Sequence, residues 1–134
     1  MRRVVITGIG AVSPLGLTAQ ESWENCINGV SGVGPITLFD ASSFLVRIAC
    51  EVKGFDPTQF MDSADARRRD RCQQLAAAAA SEAIQHSGIQ ISEQNEYRVG
   101  VIISSAIGGI STLENAVRVI DRSGARRASP FTIP

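Results

Sequence analysis

The stretch Arg98–Gly109, RVGVIISSAIGG, constrains the possible folds more than any other part of the chain. Its β-branched run from Val99 to Ile103 has the composition of a strand that is buried on both faces of a parallel sheet. A glycine pair follows, and glycine lets a chain turn sharply or lets another group approach the backbone closely. A strand followed by a glycine turn and a helix is where α/β proteins place ligands, so this corner is the first candidate site.

Two capping boxes predict where helices begin. Ser111 with Glu114 starts one helix that runs to Arg122, and its apolar stripe is formed by Leu113, Ala116, Val117 and Ile120. Thr18 with Glu21 starts another, which ends at Gly29. The sequence therefore predicts both helices and the residue at which each begins.

The longest predicted helix runs from Ser63 to Ser87, with Gly88 as its stop. The charge cluster Arg67–Arg71, RRRDR, lies near the start of this helix, where the helix dipole disfavours cations. Such a cluster is either a solvated helix face or a docking patch for an acidic partner, and folding alone explains it poorly.

The order of these elements predicts a mostly parallel α/β layer structure that forms a single domain over residues 1–134. Arg3–Ile6 is the expected first strand, Ile48–Val52 is a further short one, and Arg98–Ser105 is the next. The last residues, Ser129–Pro134, are predicted to be extended, and their apolar side chains have no following element. We therefore expect the chain to be a truncated piece of a longer protein.

Composition limits the function classes. Hydrophobic residues make up 44% of the chain, charged residues 19%, and the formal net charge is zero, which predicts a soluble globular protein without a nucleic-acid or membrane partner. The longest uncharged runs are too short and too rich in glycine and serine to span a bilayer. Three widely spaced cysteines favour buried free thiols in a reducing cytoplasm over a disulfide framework or a zinc site: Cys26, Cys50 and Cys72.

No complete catalytic group is visible in the chain. Gly8-x-Gly10 follows a predicted strand, but the third glycine of a dinucleotide fingerprint is absent, so close packing of the turn is favoured over nucleotide binding. Ser104 and Ser105 lack the pattern of a nucleophile elbow, and the single histidine, His86, is predicted at a polar helix end. We predict no catalytic residue, no metal ligand and no cofactor within the chain.

Several motifs together resemble the β-ketoacyl-acyl-carrier-protein synthase II family. They are VVITGIGAVSPLG at 4–16, ESW at 21–23, SGVGPITLFD at 31–40, SSAIGG at 104–109 and SPFTIP at 129–134. The resemblance covers essentially all 134 residues in register. It implies the N-terminal part of a thiolase-like fold, a layered α/β/α structure with a mixed, mostly parallel sheet that is incomplete in this chain.

The same resemblance implies a chain-elongating enzyme of fatty acid synthesis, which condenses an acyl thioester with malonyl-carrier protein by decarboxylation. In that family the reaction uses one cysteine and two histidines, and all three match positions beyond this chain. The cysteines and the histidine present here inherit no role. The resemblance therefore implies that this chain alone is inactive.

The resemblance assigns four residues to an acyl pocket. Ile107 matches the gate that limits acyl length, and Ala106 replaces the glycine that is usual before it. Thr132 and Ile133 match the segment that reaches across a homodimer to line the partner's pocket.

Arg67 and Arg68 match basic positions that dock the acidic acyl carrier protein. Two other functions stay open on the sequence. One is a non-catalytic ketosynthase-like subunit of the polyketide chain-length-factor type, and the other is an unrelated α/β nucleotide-binding module.

Overall fold

A computed structural model describes residues 3–132. Its helices are α1 (Ala19–Ile27), α2 (Ser63–Arg68), α3 (Arg71–Ser87) and α4 (Ile110–Ser123), and its strands are β1 (Gly34–Pro35) and β2 (Ile48–Ala49). Single 3₁₀ turns lie at Pro57–Gln59, Glu96–Arg98 and Ala125–Arg127. The described residues form two compact units: one contains those up to Asp56 with Ala78–Gln90, and the other contains Pro57–Ala77 with those from Ile91 onward.

The sheet is smaller than the sequence predicts. β1 and β2 pair antiparallel, with Gly34 opposite Ala49 and Pro35 opposite Ile48, and they form the only sheet within residues 3–132. The predicted strands at Arg3–Ile6 and Arg98–Ser105 are wrong for this structure, because both segments lack regular structure apart from the 3₁₀ residue Arg98. A strand exists only where a neighbour completes its hydrogen bonds, and Val4 and Ile102 are each 96% exposed.

Helix α1 belongs to the first unit and confirms the predicted start and stop. The Thr18 hydroxyl accepts the Glu21 amide hydrogen at 3.1 Å. The Glu21 carboxylate does not return to Thr18 but accepts from the Leu17 amide at 2.8 Å. Gly29 ends the helix with a φ of +67°, a conformation that glycine adopts without strain.

The single helix predicted from Ser63 to Ser87 is in fact two helices. α2 is capped by Asp62, whose carboxylate accepts from the amides of Asp65 and Ala64, and these hydrogen bonds lower the pKa of Asp62. Arg69 then adopts extended backbone angles, φ −90° and ψ 138°, and α3 begins at Arg71. The predicted stop of α3 at Gly88 is confirmed by a φ of +65°.

Helix α4 begins one residue before the predicted capping box. Gly109 is its N-cap, with a φ of 78° and no capping side chain, so the predicted Ser111 box is wrong. Glu114 instead pairs with Arg118 one turn later, at 2.5 Å.

Burial in the described residues is confined to small side chains. The buried apolar residues among them are Ala41, Ala66, Ala78 and Ala116. The predicted burial of all three thiols is wrong for Cys26 and Cys50, which are exposed, whereas Cys72 is half-buried. Across residues 3–132, every helix is too short or too polar to cross a membrane.

Candidate functional site

Two arginines of the cluster lie at the end of α2, and Arg71 is the first residue of α3. Arg67 and Arg68 occupy the last turn of α2, and both side chains are exposed. The carboxyl end of a helix carries partial negative charge, so cations there stabilise α2. The prediction that Arg67 and Arg68 lie near a helix start, where the dipole disfavours cations, is therefore wrong. Their position has an ordinary structural explanation, and their exposure leaves both guanidinium groups available to a partner.

The turn that carries Ala106 and Ile107 leads directly into α4. Ile107 is 70% exposed, and Ala106 is exposed beside it. Gly108 lies close to α3, because a Cβ on it would stand 3.2 Å from the Cys72 sulfur and 3.5 Å from the Ser105 side chain. The turn is therefore fixed at the glycine pair and open to solvent at Ile107.

A carboxylate that the sequence analysis did not select lies beside this turn. One oxygen of Asp70 accepts a hydrogen bond from the Thr112 hydroxyl at 2.5 Å and from the Thr112 amide at 3.4 Å. The other oxygen accepts from the Cys72 amide at 3.2 Å, in the first turn of α3. The Thr112 hydroxyl is the main cause of a lowered pKa at Asp70, and partial burial opposes it.

The signal for Asp70 is present in the sequence. Gln73 follows it by three residues, as in a capping box, and the Asp70 amide donates to the Gln73 side-chain oxygen at 3.1 Å. An aspartate with a glutamine three residues later indicates a helix start inside what was predicted as one continuous helix. Its bond to Thr112, 42 residues away, has no local sequence signal.

The segment at 129–132 is a turn, not the predicted extended chain. The Thr132 amide and hydroxyl both donate to the Ser129 carbonyl oxygen, at 3.1 and 2.8 Å. Phe131 stands beneath the Arg68 guanidinium, whose central carbon is 5.0 Å from the ring centroid. Such a cation–π contact contributes about 0.5–1 kcal/mol at an exposed site. Ile133 lies outside the described residues.

One cavity of about 370 Å³ unites parts of three separate motifs. It is lined by Arg68, Asp70, Cys72, Gln73, Gly108, Gly109, Thr112, Leu113, Phe131 and Thr132. The structure thus brings together Arg68 of the basic cluster, the glycine pair and Thr132. It does not bring Arg67, Ala106 or Ile107 to this cavity.

The lining indicates what the cavity can do chemically. It offers one cation, a thiol, several apolar surfaces and one carboxylate, that of Asp70, which lies beside the thiol and is hydrogen-bonded to Thr112 and Cys72. Within residues 3–132, no three or more histidine, cysteine, aspartate or glutamate side chains are placed to hold a metal ion. The cavity can hold an apolar or mixed ligand.

The glycine turn of the first unit confirms the prediction of close packing. A Cβ on Gly8 or Gly10 would overlap carbonyl oxygens of α3, those of Ala83 and Ala79 respectively. Glycine is required here because the turn lies directly on the helix backbone.

The amides of Ile9 and Ala11 in that turn are already hydrogen-bonded. Glu82 accepts from the amides of Ala11 and Ala19 at 2.8 and 2.9 Å, and His86 Nδ1 accepts from the Ile9 amide at 3.1 Å. A nucleotide phosphate would need these amides and would face the negative charge of Glu82. The surroundings of the turn therefore disfavour phosphate binding.

Comparison with known proteins identifies the family. Residues 1–134 match the model of the β-ketoacyl synthase N-terminal domain. Proteins named 3-oxoacyl-[acyl-carrier-protein] synthase 2 from Coxiella burnetii, Synechocystis sp. and Staphylococcus aureus are 48%, 44% and 43% identical to the chain over 133 residues, 99% of its length. The chain spans 32% of the length of each of these synthases.

A solved structure agrees with this match. The ishigamide ketosynthase/chain length factor superposes with a TM-score of 0.75 at 28% identity, over 98% of this chain and 33% of that one. The predicted fold class, the N-terminal part of a thiolase-like α/β fold, is thereby confirmed, although residues 3–132 show only the two-stranded sheet. The resemblance seen in the motifs is confirmed as well. The chain belongs to the β-ketoacyl synthase family.

Proposed function

We propose that this chain is the N-terminal part of a 3-oxoacyl-[acyl-carrier-protein] synthase that elongates fatty acids in the cytoplasm. The observation that carries the proposal is the identity of 42–48% to synthases of that name over nearly the whole chain. The full protein would act as a homodimer on acyl- and malonyl-loaded carrier protein. No cofactor is needed for this chemistry.

The reaction proceeds in two steps. A cysteine thiolate attacks the acyl thioester, a bond forms between sulfur and the acyl carbon, and the carrier thiolate leaves. Malonyl-carrier protein then loses CO₂ with the help of two histidines, and the resulting carbanion attacks the acyl-cysteine. A carbon–carbon bond forms and the cysteine thiolate leaves. All three groups match positions outside this chain, so the chain by itself is proposed to be inactive.

The activity test compares the full synthase with the 134-residue chain. Each is incubated with an acyl-carrier protein and malonyl-carrier protein, and the 3-oxoacyl product is measured by mass spectrometry. We expect product from the full protein and none from the chain. Product from the isolated chain would contradict the assignment of the catalytic groups to the rest of the protein.

The acyl-pocket wall is proposed to include Ala106, Ile107, Thr132 and Ile133. Two observations support this role: the side chain of Ile107 is 70% exposed, and Thr132 lines a cavity of about 370 Å³. Changing Ile107 to Phe adds volume at the gate, so the synthase should accept shorter acyl chains. A chain-length profile identical to that of the wild type would contradict the proposed role of Ile107 as the gate.

The carrier-docking surface is proposed to consist of Arg67 and Arg68. Both side chains are exposed cations, and an acyl carrier protein is acidic. Changing both to Glu should weaken carrier binding at least tenfold at low salt, while a small-molecule thioester reacts as before. The matched control changes the exposed pair Arg126 and Arg127 to Glu, with the same change in net charge. Equal losses in both double variants would contradict local docking.

A second candidate is a non-catalytic subunit of the chain-length-factor type. The match to the structure of a ketosynthase/chain length factor supports this second candidate. The two candidates differ at the residue that occupies the nucleophile position, so mass spectrometry after incubation with acyl-carrier protein separates them. A covalent acyl adduct on cysteine supports the synthase, and its absence from a folded full-length protein supports the subunit.

A further inference from the structure

Helix α4 begins without a capping side chain of its own. Its N-cap is Gly109, which has a φ of 78° and no side chain to accept hydrogen bonds from the first amides of the helix. The free amides at a helix start need acceptors, and side-chain oxygens normally supply them. A side-chain acceptor for α4 therefore has to come from another part of the chain.

Asp70 supplies that acceptor from the start of α3. Its second carboxylate oxygen accepts from the Thr112 hydroxyl at 2.5 Å and from the Thr112 amide at 3.4 Å, while its first oxygen accepts from the Cys72 amide at 3.2 Å. One negative charge thus lies at the N-terminal ends of two helices, where the helix dipoles favour it. Hydrogen bonds to a charged acceptor are the stronger kind.

The turn before α4 is held at the same place. Gly108 approaches the Cys72 sulfur, so its Cβ would stand 3.2 Å from that atom. Ile107 is one residue before Gly108 and five before Thr112. Any shift of the α4 start relative to Asp70 is therefore transmitted to Ile107 through a short segment.

We propose that Asp70 is a positioning residue: through Thr112 it sets the place of the Ile107 turn and thereby the acyl length that the synthase accepts. This inference rests on the proposed function, because it requires Ile107 to be the acyl gate. Asp70 touches no reacting atom in this role. Its effect passes through the start of α4.

The test uses the full synthase with Thr112→Val, which removes the hydroxyl donor at nearly constant volume, and Thr112→Ser, which keeps it. The readout is the ratio of kcat/KM for a long acyl-carrier substrate to that for a short one. A loosened turn lets the gate retreat, so the Val variant should raise this ratio about fivefold, because only part of the roughly tenfold or larger effect of a charge-assisted hydrogen bond reaches the gate. The Ser variant should stay within about twofold of the wild type.

One control and one further variant separate positioning from general damage. Arg118→Ala removes the exposed ion pair on the same helix and should leave the ratio unchanged. Asp70→Asn keeps the side-chain shape and removes the charge, and it serves as the second variant if Thr112→Val does not fold. A loss of kcat/KM that is equal for both substrates would mean a merely structural role and would overturn the inference.

The outcomes also distinguish this inference from the proposed gate. If Ile107→Phe changes the ratio and neither Thr112→Val nor Asp70→Asn does, Asp70 is not a positioning residue. If Ile107→Phe leaves the ratio unchanged as well, the gate itself is wrong. Failure of both the Val and the Asn variants to fold would make the carboxylate a folding requirement and would likewise overturn its role in specificity.

Discussion

Replacing Gly10 with alanine would place a methyl group inside the backbone of α3. That Cβ would overlap the Ala79 carbonyl oxygen and stand 2.6 Å from the Ala83 nitrogen and 3.0 Å from the Glu82 Cβ. Residues 79 and 83 lie one helical turn apart in α3, so neither backbone atom can move without disturbing the hydrogen bonds of the helix. The turn itself must therefore move away.

The cost follows from the contacts that such a movement breaks. Overpacking against a rigid neighbour costs about 1–3 kcal/mol. Displacing the turn also lengthens the bond from the Ala11 amide to Glu82, now 2.8 Å, and the bond from the Ile9 amide to His86, now 3.1 Å. A hydrogen bond to a charged group contributes about 1.5–3 kcal/mol, less where it is partly exposed. Since alanine also stabilises by about 0.4–1 kcal/mol through the unfolded chain, we expect a net loss of about 3 kcal/mol.

The assay is urea unfolding followed by far-ultraviolet circular dichroism. With a slope of about 1–3 kcal/mol per molar urea, the midpoint of Gly10→Ala should fall by about 1 M or more. Gly100→Ala is the matched control, because Gly100 has no heavy atom within 4 Å of its added Cβ and no positive φ. The control should change the free energy of unfolding by less than about 0.5 kcal/mol. Equal midpoints for the two variants would refute the close approach of the turn to α3.

Three further expectations concern helix ends and acid. Thr18→Ala removes the acceptor of the Glu21 amide and should lower the free energy of unfolding by about 1 kcal/mol in urea titrations, whereas Thr18→Ser should restore it. Gly88→Ala places a Cβ at a φ of +65° and should cost about 1 kcal/mol in the same titration; a neutral result would mean that the helix end can rearrange. The lowered pKa of Asp70 contributes stability that is present above its ordinary value of 3.8 and is lost as the pH falls through the lower folded value. The wild type should therefore lose more stability than Thr112→Val on acidification below that value, and parallel pH profiles would exclude the Thr112 hydroxyl as the cause.

The helices could be predicted because their signals are local. Thr18, Gly29 and Gly88 mark ends that the structure confirms, since a cap or a left-handed glycine needs only its neighbours in sequence. The break before α3 was also predictable in principle from Asp70 and Gln73. The five consecutive alanines at Ala76–Ala80 have a strong helix propensity, which favoured the interpretation as one continuous helix.

The positions of the strands could not be predicted from the sequence, because a segment forms a strand only when a neighbouring strand completes its hydrogen bonds. Val99–Ile103 has the composition of a buried strand, yet Val101, Ile102 and Ile103 remain exposed in the described chain. The composition of a segment indicates that it can form a strand, but it does not show whether a neighbouring strand is present to pair with it. The same reasoning explains the site: Arg68 with Phe131, and Asp70 with Thr112, meet only through tertiary structure, and neither pair shares a sequence pattern.

The apolar side of α4 has a consequence for the behaviour of this protein in solution. Ile110, Leu113, Val117 and Ile120 recur at spacings of three, four and three residues, and each keeps roughly half of its surface in water. Apolar residues at that spacing form the stripe along which two helices associate in coiled coils. The formal net charge of zero provides no long-range repulsion between molecules. The second osmotic virial coefficient of the isolated chain should therefore be negative at neutral pH. A glutamate at Val117 would interrupt the stripe and add one negative charge, which should shift that coefficient towards positive values.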